Sequence, residues 1–114
     1  MDDVKPFSEI SRFTSPAVEI VCTNDPATTA KIAFTKYAGG VMSIAATGGV
    51  TQIDWYASAR PSDTPAKVYS SGAAVTTAAT VGVHPFPDAT YACAFICPVV
   101  VGAVSMPAVI TVKG

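Results

Sequence analysis

Val50-Thr51-Gln52-Ile53-Asp54-Trp55-Tyr56-Ala57-Ser58 is the stretch that decides the fold. Ile53, Trp55 and Ala57 alternate with Gln52, Asp54, Tyr56 and Ser58. A period of two puts these sets on opposite faces of a strand. The row carrying Trp55 is apolar and is expected to face a core, whereas Asp54 stands alone on the outer face. Gly48-Gly49 turns the chain into this strand, and the polar stretch Arg60 to Pro65 leads out of it.

Upstream, Val41 to Ala46 reads as a strand after the turn Ala38-Gly39-Gly40, and Lys31 to Tyr37 as another, with Ile32 and Phe34 on one face. Ala17 to Thr23 is a third, closed by the turn residues Asn24-Asp25-Pro26. Downstream, Ala66 to Ser70 and Ala73 to Val83 supply one or two further strands. Pro85 and Pro87 make Val83 to Asp88 a rigid connection expected to stay outside any sheet. Thr90 to Cys97 and Ala108 to Lys113 complete the set, and a loop around Gly102 to Met106 closes a buried hairpin between them. Nine prolines and eight glycines punctuate runs rich in Val, Ile, Thr and Tyr, with no helical periodicity. The expected fold is all-β, an antiparallel sandwich of about seven to nine strands spanning 17–114 as one domain. Residues 1–16 read as a polar N-terminal arm ending at Ser15-Pro16, with Ile10 and Phe13 pinning a short edge strand.

The chain of 114 residues is half hydrophobic, yet its charged share is 13 %, about half the ~25 % of soluble domains. Those charges crowd toward one end: after Lys67 only Asp88 and Lys113 remain. A surface so poor in ions is expected to be covered by contact with another chain. The net charge of −1 and a pI near 5.6 argue against nucleic-acid binding, which needs a basic stripe. Met1-Asp2-Asp3-Val4-Lys5-Pro6 is acidic and lacks an apolar core, so no secretory signal is expected. Ala89 to Val112 holds 24 residues without a charge, but Pro98, Gly102 and Pro107 interrupt it. A buried hairpin is therefore the expected reading, and no membrane partner is assigned.

Constellations that could carry chemistry fall short on spacing. Cys22, Cys93 and Cys97 are odd in number, which fits reduced thiols used as small apolar side chains. With His84 they sum to a Cys₃His set, but Cys93 and Cys97 lie ~13 Å apart on a strand, too far for one zinc or for a mutual disulfide. His84 is the only histidine, and a Cys–His nucleophile is disfavoured because an apolar strand keeps a thiol protonated. Asp54 and Asp63 are scattered rather than paired. No enzyme activity, cofactor or metal is expected. Gly39-Gly40 and Gly48-Gly49 read as turns, since neither opens a helix as a phosphate loop does.

Three segments resemble the immunoglobulin-like sandwich. Ile53-Asp54-Trp55-Tyr56 is similar to its strand C with the core Trp, and Asp88-Ala89-Thr90-Tyr91-Ala92-Cys93 to the entry of its strand F. Met42-Ser43-Ile44 falls where strand B belongs. No Cys stands on that strand, so the family's inter-sheet disulfide is absent and Cys93 is implied to be an unpaired core thiol. The resemblance implies a core containing Ile44, Ile53, Trp55, Tyr91, Cys93 and Phe95, with Cys97 on the same row. It implies an outward, small and apolar row of Thr90, Ala92, Ala94 and Ile96, continued by Val109 and Thr111 on the last strand. With Ile10 and Phe13 of the arm, that row is the expected interface.

Domains of this kind decorate phage heads and tails. The expected function is accordingly that of a virion structural protein, a capsid decoration or cement protein made in the host cytoplasm. Its expected partners are itself, as a homo-oligomer with a trimer among the candidate symmetries, and a major capsid or other virion protein. The alternative is a glycan- or receptor-binding module of a phage tail or adhesin, using the loops at 60–65 and 83–88 with Tyr56 or Tyr69.

Overall fold

Trp55 anchors the core from which the architecture follows. It is almost wholly buried, its indole N–H donates to Thr77 Oγ1 at 2.9 Å, and its ring meets Phe86 edge-on at 5.5 Å. The computed structural model describes residues 17–34 and 39–113. Its strands are β1 (Ala17–Thr23), β2 (Ile32–Ala33), β3 (Gly39–Ile44), β4 (Gln52–Ser58), β5 (Ala66–Lys67), β6 (Tyr69–Ser70), β7 (Ala73–Ala74), β8 (Thr76–Ala78), β9 (Gly82–Pro85), β10 (Phe95–Val101) and β11 (Ser105–Lys113). The protein is all-β and antiparallel throughout. Sheet A runs β1-β11-β3-β9; sheet B runs β2-β10-β4-β5, with β8 also paired to β4, and β6-β7 form a separate hairpin.

One buried cluster joins the two main sheets into a sandwich-like body. Met42, Ile44, Met106, Ala108, Ile110 and Val112 come from sheet A, and Ile53, Trp55, Ile96 and Val100 from sheet B. The edge of β4 is shared end to end. β5 takes Tyr56 and Ala57, and β8 takes Gln52 to Asp54. The stretches 66–70 and 73–83, expected as one or two strands, are thus four short pieces and the start of β9. Ser71-Gly72 breaks them, both with positive φ, in the two-residue turn of the β6–β7 hairpin.

The stretch expected as one strand, Thr90–Cys97, divides. Asp88–Ala92 is a 3₁₀ helix and β10 starts only at Phe95. Pro87 precedes the turn with φ −59, and both the Thr90 amide (2.9 Å) and its Oγ1 (2.7 Å) donate to the Pro87 carbonyl. Those bonds satisfy the backbone locally, so no ladder is needed there. The turn also resets the phase of the strand that follows, and a shift of one residue exchanges the two faces.

Three further expectations are corrected. Gly39 and Gly40 lie inside β3 rather than in a turn. A Cβ at Gly40 would stand 2.6 Å from Phe86 Cε2, so this glycine is required by packing. Pro85, expected outside any sheet, ends β9, whose place at the margin of sheet A leaves it one ladder only. Gly102 is likewise required. It sits at φ 104, and a Cβ there would approach the Gly49 carbonyl to 2.9 Å. This turn carries the chain from β10 in sheet B to β11 in sheet A, so the expected hairpin between them is an arch linking two sheets. In an immunoglobulin domain the last strand pairs with strand F; here it lies between β1 and β3. The 24-residue uncharged stretch is thereby folded into a 3₁₀ turn and two strands. Among the described residues no helix is long and apolar enough to cross a membrane.

Candidate interaction face

Registers across sheet A define its outer face residue by residue. Glu19 pairs with Val109, Val109 with Ser43 and Ser43 with Val83, giving one continuous row across four strands. A second row runs Ala17, Thr111, Val41 and Pro85, and Val21 with Pro107 adds a partial third. Directly opposed residues share a face, so all ten side chains point away from the core. Glu19 is the one charged side chain among those described there; the backbone of Lys113 pairs with Gly39 at the margin. Val21 is 55 % exposed, Val83 66 % and Val109 37 %. Glu19, Ser43, Ala45, Pro107 and Val109 border a shallow depression on this surface.

From strand spacing and rise, the face measures roughly 19 Å by 17 Å, about 300 Å². Its relief is low, because its residues are Ala, Val, Ser, Thr and Pro with a single long side chain. Charges gather elsewhere. Asp54 and Lys67 lie on β4 and β5 of sheet B, and Arg60 pairs with Asp63 at 3.2 Å in the loop beyond β4.

In sheet B the outer side of β10 is covered by the chain itself, while β5 stays exposed. The loop after β1 folds over β10 and is held by threonines: Thr23 Oγ1 lies 2.7 Å from Thr28 Oγ1 and 2.8 Å from Thr29 Oγ1. Thr29 Oγ1 also reaches the carbonyls of Thr23 and Asp25 at 3.0 Å each. Cys97 Sγ sits under this loop, 3.8 Å from the carbonyls of Pro26 and Thr29. Lys31 pins the loop's end by donating to the carbonyls of Pro61 (2.6 Å) and Asp63. Residues 96–100 are in consequence buried on both faces. Part of the charge-poor half of the chain is therefore hidden within its own fold, and part is exposed on turns and edges at Tyr69, Val81, Tyr91, Val101 and Val104. Val83, Pro85, Pro107, Val109 and Thr111 contribute to the outer face of sheet A.

The residues singled out from sequence fall as follows. Val109 and Thr111 lie on the outer face of sheet A. Thr90 and Ile96, expected on an interface, are fully buried. Ile96 pairs with Ala57 and joins the core with Val100, while Phe95 and Cys97 take the opposite side of β10. This inversion is the phase shift set by the 3₁₀ turn. Ala92 is exposed and Ala94 half-buried, but neither continues a row onto β11. Ile44, Ile53 and Trp55 lie in the core. Tyr91, expected there, is 46 % exposed, with its ring edge against Phe34 at 5.7 Å. Cys93 and Phe95 are half-buried. Ile10 and Phe13 lie outside the described residues. Tyr56 is half-buried, and Tyr69 is 62 % exposed on the β6–β7 hairpin.

The three thiols are free. Burial pushes Cys22 up to about 12, and the neighbouring Cys97 adds to the effect. Burial also raises Cys97, to about 11, against the opposing pull of Lys31 and the Thr29 hydroxyl. Cys93 is raised by burial as well. None is held as a thiolate near neutrality, so none is poised as a nucleophile. His84 Nε2 bonds the Thr80 carbonyl at 2.8 Å on the edge strand β9. Among the described residues, no three of His, Cys, Asp and Glu converge as a metal site would require.

No family model, curated protein or solved structure matches this chain.

Proposed function

We propose that the chain is a non-enzymatic virion structural protein, a capsid decoration or cement protein that binds the shell surface of a bacteriophage through the outer face of sheet A. The observation that carries this reading is that face: four strands wide, made of short and mostly apolar side chains, with Glu19 as its one described charge. A surface of about 300 Å² is as large as the largest apolar patch of many monomers, which are often functional. Two such faces pressed together would cover roughly 600 Å², below the ~1,200 Å² of a stable independent complex. Its size therefore suits a contact that is repeated by symmetry and reinforced by a neighbouring subunit, as on a shell lattice.

Self-association with a trimer as the working symmetry, residence on the particle after synthesis in the host cytoplasm, and the lack of a nucleic-acid or membrane partner belong to the same proposal. So does the immunoglobulin-like description. The pairings β4–β10 and β3–β9 favour it, since they correspond to strands C–F and B–E, and the position of β11 departs from it.

Gradient separation of intact particles from free protein, followed by detection of this chain, tests the reading. Co-migration with particles at a fixed copy number is expected. Recovery only in the soluble pool would overturn it.

A further inference from the structure

An apolar groove opens along the side of the sandwich where β1 of sheet A passes β2 of sheet B. Its cavity is about 240 Å³, walled by Val18, Ile20, Ile110 and Val112 from one sheet and Ile32 and Lys31 from the other. Among the described residues, β2 offers only Ile32–Ala33 across the groove from β1. Val18 is 57 % exposed although its alternation places it with Ile20 and Cys22 on the core side. The Lys31 ammonium, the only charge among the described residues of the wall, is already engaged by the carbonyls of Pro61 and Asp63. An apolar side chain fits such a site better than an anion. Engineered apolar cavities of about 150 Å³ already hold a benzene ring, so a phenyl group has room here.

We propose that the groove is the seat of the chain's own segment Ile10–Phe13, with the Phe13 ring between Val18, Ile32 and Val112. The preceding segment joins the sandwich at Ala17, one residue before Val18 on the groove wall. Phe13 is four residues from Ala17, a contour of roughly 14 Å, whereas Val18 to Ile20 spans about 7 Å. That contour is long enough to reach any part of the groove. So short a tether holds the segment at an effective concentration in the millimolar range. That favours the chain's own groove over that of a second copy.

Methyl NMR on the full chain tests this. Nuclear Overhauser contacts from the Phe13 ring to the methyls of Val18, Ile32 and Val112 are expected. They should persist on dilution and be missing from filtered spectra of a mixture of labelled and unlabelled chains. Phe13→Ser should shift those methyls and leave Ile53 and Val100 unmoved. Val18→Asp, at an exposed position, should abolish the contacts while the core resonances keep their dispersion. Groove methyls indifferent to Phe13→Ser would overturn the proposal. So would contacts seen only between labelled and unlabelled chains, which would assign the groove to a second copy's segment.

Discussion

Replacing Trp55 tests the core at the residue from which the fold was read. The ring is almost wholly buried, packs against Phe86 at 5.5 Å and donates to Thr77 Oγ1. Removing a buried aromatic to alanine costs about 3–5 kcal/mol through lost transfer energy and the residual cavity. Against a total stability of about 5–15 kcal/mol for a domain, that leaves the variant marginal. Trp55→Phe keeps an aromatic edge for Phe86 but strips the indole N–H, so about 1–3 kcal/mol should be lost. Thr77→Val should cost a comparable amount, because it leaves the indole N–H without its partner. The double variant should fall short of the sum by about 1 kcal/mol, since the second change removes a group already orphaned. Urea unfolding followed by far-UV circular dichroism gives each midpoint. A Trp55→Ala loss below about 1 kcal/mol would refute the placement of Trp55 at the centre of the core.

Gly40→Ala drives a methyl into Phe86 and should destabilise by about 1–3 kcal/mol, an overpacking cost read from the same urea curves. Cys93 should react with a thiol reagent in the native protein well before Cys22 and Cys97, which should react only on unfolding; mass spectrometry of the partly modified protein reads this order. Because burial raises the Cys22 and Cys97 thiols above the ordinary value of 9.0 to about 12 and about 11, their contribution is fully present below pH 9 and is lost as pH rises through that window. The urea midpoint should hold steady from neutrality to about pH 8 and fall above pH 9, and a flat profile to pH 11 would contradict this.

The alternation at 52–58 was legible because both a covered and a polar face act on one continuous strand. β1 and the 108–113 part of β11 were legible for similar reasons, whereas Ser105 to Pro107, expected in or beside a loop, already belong to β11. The reading went astray where local bonding overrode periodicity. Asp88-Ala89-Thr90 has the composition of a strand entry, yet Pro87 and the Thr90 hydroxyl close a 3₁₀ turn. Within β10 the strand phase then inverted, taking Ile96 into the core and Phe95 and Cys97 to the other side. In the segment before it, Thr90 is buried and Tyr91 exposed against expectation, while Ala92 is exposed and Cys93 packs against the core as expected. Tertiary contacts decided Gly40, whose glycine is needed only because Phe86 packs across it. The threonine-held loop over Cys97 was invisible, since Thr23, Thr28 and Thr29 look like any turn composition until their hydroxyls meet. Of the interface, Val109 and Thr111 were legible. Their partners on β1, β3 and β9 depend on strand order, which no local pattern encodes.

Binding of purified chain to particles stripped of it, with and without Val83→Lys plus Val109→Lys, the latter facing Glu19, is the most direct test of the assembly role. Both substitutions fall on exposed outer positions of sheet A, so the urea midpoint of the variant should stay within about 0.5 kcal/mol of the parent. The parent chain should rebind saturably at a fixed number of copies per particle, and the variant should lose most of that binding. Equal binding by the two, or no binding by either, would contradict a contact through this face.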